Sequence, residues 1–161
     1  MMATTHLALA TSLYLGLRAI GIDTGVDIVL IAALVGSVFP DIDHPRSSIA
    51  QQSLLFEGVS RAVSSLGGHR GVVHSLFACS FFTAALYVFL NHGGFGGAIA
   101  WGFGFGYLTH LLGDSMTKGG IAWLRPFRDR KVRGPLRTGS TAEELLLVLL
   151  LALILYELLV Y

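Results

Sequence analysis

The chain has 161 residues, 53% of them hydrophobic and only 13% charged, with a mean hydropathy of +0.69. The charged share is about half of the roughly 25% usual in soluble domains, which argues against water as the main solvent. Cys79 is the only cysteine, so an intrachain disulfide, a CxxC redox pair and a cysteine-built zinc site are all excluded.

Five apolar segments follow one another in a single unit covering residues 1–161: His6 to Ile20, Val26 to Phe39, Gly71 to Leu90, Phe95 to Gly113, and Leu145 to Tyr161. Apolar runs of this length without alternating polarity read as helices. The expected fold class is therefore all-α, a multi-pass helical membrane protein. The third, fourth and fifth segments approach the ~20 residues that span a bilayer, whereas the first two are short enough for a partly inserted helix. No basic stretch precedes the first segment and His6 lies inside it, so it reads as a retained helix rather than a cleaved signal.

The second segment ends in "FPDIDHPRS", where Pro40 and Pro45 bracket a short turn carrying Asp41, Asp43 and His44. "SSIAQQSLLFEGVSRAVSSLGG" then spaces Ile49, Leu54, Leu55, Val59 and Val63 on a helical period, the pattern of an amphipathic helix at the membrane interface. "GGHRGVVHSL" opens the third segment. Its His69 and His74 fall about 140° apart on an ideal helix, so they share a site only if His69 precedes the helix. In the fourth segment Gly102 and Gly106 form a GxxxG packing motif, and the segment closes on "THLLGD", which sets His110 and Asp114 one turn apart on the same face. Ser140 or Thr141 caps the last helix, with Glu143 and Glu144 at its positive end. No Walker A pattern and no Rossmann glycine fingerprint after a strand are present.

Lys118, Arg125, Arg128, Arg130, Lys131, Arg133 and Arg137 crowd the loop after the fourth segment, and Arg46, Arg61 and Arg70 follow the second, whereas residues 91–94 carry no Lys or Arg. The positive-inside rule places both basic loops in the cytoplasm, the N-terminus inside and the C-terminus outside. His6, Asp41, Asp43, His44, His69, His74, His110 and Asp114 then all arrive at one side, and His92 alone falls on the other. Ionisable groups near lipid cost roughly 2.5–3.5 kcal/mol each on insertion scales, so their convergence calls for a compensating charge. Imidazole and carboxylate are ligands for zinc and similar divalent ions, and this set is expected to bind metal.

The order of "THLALA", "FPDIDH", "HRGVVHS", "THLLGDSMTKGGIAWLRPF" and "TGSTAEE" resembles the YdjM-type inner-membrane family of small membrane-bound metal-dependent hydrolases over nearly the whole chain. A more distant likeness joins "HLLGD" to the H-x-x-G-D signature of zinc-dependent phospholipase C. That likeness implies two divalent ions, zinc foremost and manganese as an alternative, with His110 a ligand, Asp114 a bridging carboxylate, and Asp41 or Asp43 a catalytic base. This chain has no histidine after His110, so the further downstream ligands of those enzymes are missing.

The expected function is hydrolysis of a phosphoester in a membrane lipid or lipid-linked substrate at the cytoplasmic headgroup level. Two cations would acidify a shared water and brace an in-line displacement. Arg46, Arg70, Lys118 and Arg125 would pair with phosphate oxygens. No nucleic-acid partner is expected, and a homo-oligomer is compatible with the sequence. The rivals are a metal or proton transporter and a non-catalytic scaffold with a structural metal.

Overall fold

The computed structural model describes residues 1–22, 27–43 and 71–160, with Ile42 and Asp43 described by their backbone alone. The described chain is all-α, with five helices: α1 (Ala3–Ala19), α2 (Asp27–Val38), α3 (Leu76–His92), α4 (Ala98–Ser115) and α5 (Thr141–Val160). Short 3-10 turns at Phe39–Asp43 and Val72–His74 follow α2 and precede α3. The expected interfacial helix lies outside the described residues.

The helix α4 is central, packing on α2, α3 and α1, while α5 packs on α1. Its position rests on close backbone approach. A Cβ on Gly102 would lie 2.4 Å from the Val29 carbonyl oxygen, one on Gly106 only 1.8 Å from that of Ala33, and one on Gly36 of α2 2.0 Å from that of Phe103. The GxxxG of α4 thus packs against α2, and any larger residue would push the two helices apart. Phe103, Tyr107 and Leu111 of α4 continue the contact into a buried cluster with Ala32, Cys79 and Ile121.

Among the described residues no helix is long and apolar enough to cross a membrane. This falls short of the expectation for the last three segments, for local reasons. Ser75 caps α3, accepting a hydrogen bond from Ala78 N, so that helix starts at Leu76 and has 17 residues. Gly94 and Gly96, both at positive φ, delay α4 until Ala98. The 20 residues of α5 would measure about 30 Å, but they carry Glu143, Glu144 and Glu157. Large apolar side chains nevertheless stand exposed on every helix, among them Leu13, Ile31, Phe81, Trp101 and Leu149.

Candidate metal centre

The sequence brings five ionisable residues to one end of the bundle through four separate backbone devices. His6 lies near the start of α1, Asp41 in the turn that ends α2, and His74 in the turn that precedes α3. His110 and Asp114 occupy the last turns of α4, one turn apart and on one face. His6, His74, His110 and Asp114 are buried, whereas the Asp41 side chain is 25% exposed.

Their reactive atoms converge. His74 Nε2 lies 3.3 Å from His110 Nε2, and each of these nitrogens is 3.8 Å from Asp41 Oδ1. Asp114 faces two ways, with Oδ2 3.8 Å from His74 Nε2 and 4.0 Å from His110 Nε2, and Oδ1 3.4 Å from His6 Nε2. The His6 ring stacks on that of His110 with centroids 3.9 Å apart. The α-amino group of Met1 also pairs with Asp114 Oδ1, so a positive charge already stands against that carboxylate.

The protonation state of His110 follows from its partner. Nδ1 is 2.8 Å from the Ser37 carbonyl oxygen, which can only accept, so Nδ1 carries the proton and the neutral ring offers a lone pair at Nε2. Tyr107 Oη donates to the Val73 carbonyl at 2.6 Å and so fixes the turn that presents His74. Burial pushes the Asp41 carboxyl up, but its interaction with His74 is foremost among the effects that outweigh this and hold the group below its ordinary value.

This donor set fits a divalent ion. Both ring nitrogens of His6 are buried and, among the described residues, neither makes a hydrogen bond; Nε2 has only the 3.4 Å approach of Asp114 Oδ1, a costly arrangement unless another partner takes the lone pair. Ligand bonds of 2.0–2.1 Å in a tetrahedron put donors about 3.4 Å apart, close to the 3.3 Å between the facing nitrogens of His74 and His110. Two overlapping sets could hold metal ions, His6–Asp41–His110 and His74–His110–Asp114. They share His110, which has one nitrogen to give, while Asp114 has two separately directed oxygens.

The structure therefore gathers His6, Asp41, His74, His110 and Asp114. His44, His69, Arg46 and Arg70 lie outside the described residues, as does the Asp43 side chain. Lys118 stands exposed on the segment after α4, and Arg125 pairs with Asp129. His92 ends α3 at the opposite end of that helix from His74. Ser37 and Tyr107 escaped the sequence reading because one acts through its main-chain carbonyl and the other through a main-chain partner.

The family model of the YdjM inner membrane protein matches residues 1–160. The chain belongs to the YdjM inner membrane protein family. The resemblance carried by "FPDIDH", "HRGVVHS" and "THLLGD" is thereby borne out. Inner membrane protein YdjM of Escherichia coli (strain K12) is 37% identical over 100 residues, covering 62% of this chain and 50% of that one, and the Shigella flexneri YdjM gives the same figures. The chain thus spans about half the length of these YdjM proteins. YvsG of Bacillus subtilis (strain 168) is 39% identical over 129 residues, covering 76% of this chain and 74% of its own. No solved structure matches.

Proposed function

We propose that the chain is a membrane-embedded metal-dependent hydrolase that cleaves a phosphoester in a lipid or lipid-linked substrate. The observation that carries this reading is Asp114, buried at the end of α4 with one oxygen toward His6 and the other toward His74 and His110. A carboxylate disposed in this way suits a pair of divalent ions, zinc or manganese, better than one closed structural site.

When bound, such ions supply Lewis-acid polarisation of a phosphoryl oxygen and acidify water. The chain's own residues do the rest. Asp41 is the one partly exposed member of the five gathered residues, so its Oδ1 is open to accept a proton from an attacking water. Asp43 of the same turn is the alternative base. Arg46, Arg70, Lys118 and Arg125 are the cations proposed to meet substrate phosphate. The exposed apolar side chains on each helix support a lipid setting, and the Lys/Arg asymmetry of the loops supports a cytoplasmic centre and N-terminus with the C-terminus outside.

One observation favours transport as a second reading. Glu157, near the far end of α5, is 8% exposed and its Oε2 has no hydrogen-bond partner among the described residues. It faces Gly16 of α1, where a Cβ would lie 3.3 Å from Oε1. Buried Ser12 lies on that same helix.

Release of phosphorylated headgroup or diacylglycerol from a panel of phospholipids, and of phosphate from isoprenoid phosphates, run beside metal analysis, tests the proposal. Hydrolysis is expected from metal-loaded protein and not from Asp114→Asn. Bound metal without release from any substrate, together with ion uptake into proteoliposomes that Glu157→Gln abolishes, would favour transport instead.

A further inference from the structure

Residues 116–140 connect α4 to α5 as a strap across the end of the bundle that holds the metal centre. Its two arms are tied by main-chain hydrogen bonds: Lys118 N to Leu136 O at 2.7 Å, Gly134 N to Thr117 O at 3.0 Å, and Ile121 and Val132 to each other at 3.1 and 2.8 Å. The arms approach so closely that a Cβ on Gly134 would lie 2.2 Å from the Met116 carbonyl oxygen, and one on Gly120 the same distance from that of Val132. Thr117, Ile121 and Ala122 of the strap are themselves buried, and Leu76 N, at the start of α3, donates to Trp123 O at 2.9 Å. The strap is a shaped surface anchored to the bundle.

Its outward charge is predominantly positive. Seven cations lie between residues 116 and 140 against a single acid, Asp129, a net charge of 7 − 1 = +6. Arg125 pairs with that acid, while Lys118, Arg128, Arg130, Lys131, Arg133 and Arg137 are exposed. Leu124 and Phe127, between the arms, are 52% and 81% exposed. Phe127 rests edge-on against Phe77 of α3, itself half exposed, with ring centroids 5.9 Å apart. The apolar tip of the strap is thus continuous with an apolar wall of the bundle.

We infer that the 116–140 strap is a docking surface for anionic lipid. Cations around an exposed apolar tip match a phosphate headgroup layer, where guanidinium and ammonium groups meet phosphates and the ring enters the boundary with the acyl chains. A single-stranded nucleic acid would use the same cations, but it calls for aromatic platforms along a groove, whereas Phe127 leans on the bundle wall. The inference goes beyond the hydrolysis proposal: Lys118 and Arg125, which that proposal turns toward substrate, lie on the strap, but none of the five gathered donors does, and the substitutions tested below leave both of those cations in place.

The test uses full-length protein carrying Trp101→Phe and Phe127→Trp, reconstituted into phosphatidylcholine vesicles with an equal mole fraction of brominated phosphatidylglycerol or brominated phosphatidylcholine. A Trp101→Phe protein that keeps Phe127 is measured in parallel, and its Trp123 quenching is subtracted. Brominated phosphatidylglycerol is expected to quench about twofold more strongly, since each cation near an anionic surface adds attraction. Two changes should erase the preference: Gln at Arg128, Arg130, Lys131 and Arg133 together, and salt near ~1 M, where screening acts within ~3 Å. The Gln positions are exposed, so the fold should survive, and the salt series needs no variant. Equal quenching by the two lipids, or a preference that persists through both changes, overturns the inference. Loss of the preference on adding single-stranded RNA at low salt would reassign the strap to nucleic acid and overturn it as well.

Discussion

His74 and His110 turn their Nε2 atoms toward each other across 3.3 Å, although they come from different helices and stand 36 residues apart. The Ser37 carbonyl accepts the hydrogen bond of the protonated Nδ1 of His110, so Nε2 of that ring presents a lone pair to His74. Either His74 donates into that lone pair or a cation takes lone pairs from both rings. We expect the cation, and therefore that His110→Ala purifies with less than half of the bound metal of the parent. His92→Ala, altering an exposed residue at the end of α3, should keep it. Equal metal in parent and His110→Ala by elemental analysis would remove the site.

Metal-free protein should lose a specific part of its stability in acid. The folded Asp41 carboxyl lies below its ordinary value, while the unfolded one titrates near ~3.9. A depressed folded value means that the stabilisation is fully present above ~3.9 and disappears as pH falls through that value toward the lower folded one. Denaturant unfolding of chelated parent and Asp41→Asn should therefore differ at neutral pH and converge on acidification. A gap that does not change with pH contradicts the assignment.

Gly106→Val should be among the most damaging substitutions in the chain. Its Cβ would meet the Ala33 carbonyl oxygen at 1.8 Å, and backbone cannot yield as a flexible side chain can. Overpacking of this kind costs about 1–3 kcal/mol or more. Gly21→Ala is the control, because that residue has φ +81 but, among the described residues, nothing within 4 Å of its Cβ. Its cost is backbone strain alone, about 1–2 kcal/mol. Unfolding in detergent should rank the valine variant clearly below the alanine one.

Glu143 links the start of α5 to the start of the chain. It is fully buried and accepts hydrogen bonds from Gly139 N at 2.7 Å and Met2 N at 2.6 Å. Glu143→Ala leaves two donors unmet, at about 1–3 kcal/mol each where they stay dry. Glu144 is exposed, so Glu144→Ala should cost only the ~0.3–1 kcal/mol of a carboxylate at a helix N-terminus. The sequence marks these two residues as an equivalent acidic pair, and thermal unfolding should separate them.

What the sequence made legible was the convergence of the site. His6, Asp41, His74, His110 and Asp114 lie over more than a hundred residues, yet each falls at a helix end that the apolar pattern and the Lys/Arg asymmetry assign to one side. The helix starts were less legible, because the Ser75 cap and the glycines before Ala98 shorten apolar runs that hydropathy alone reads as continuous. The strap was read only as a basic loop. Its pairing rests on main-chain bonds between arms of no clear hydrophobic period, and on two glycines whose role appears only when the opposite backbone is in place. Ser37 was invisible for a related reason, since a carbonyl that orients His110 could belong to any residue type.

Tyr107 gives the sharpest test of whether the turn before α3 is positioned for metal. It is fully buried, and its hydroxyl holds the Val73 carbonyl at 2.6 Å, one residue before His74. Tyr107→Phe keeps the ring and its packing against Phe39 and Phe103 while deleting the bond to Val73. If the bond only stabilises the fold, the variant loses about 1 kcal/mol and binds metal as before. If it positions His74, metal affinity falls by the roughly 10–100-fold typical of losing an outer partner, out of proportion to the stability change. We expect the second result. Competition titration against a chromophoric chelator, read beside denaturant unfolding of the same two proteins, distinguishes them.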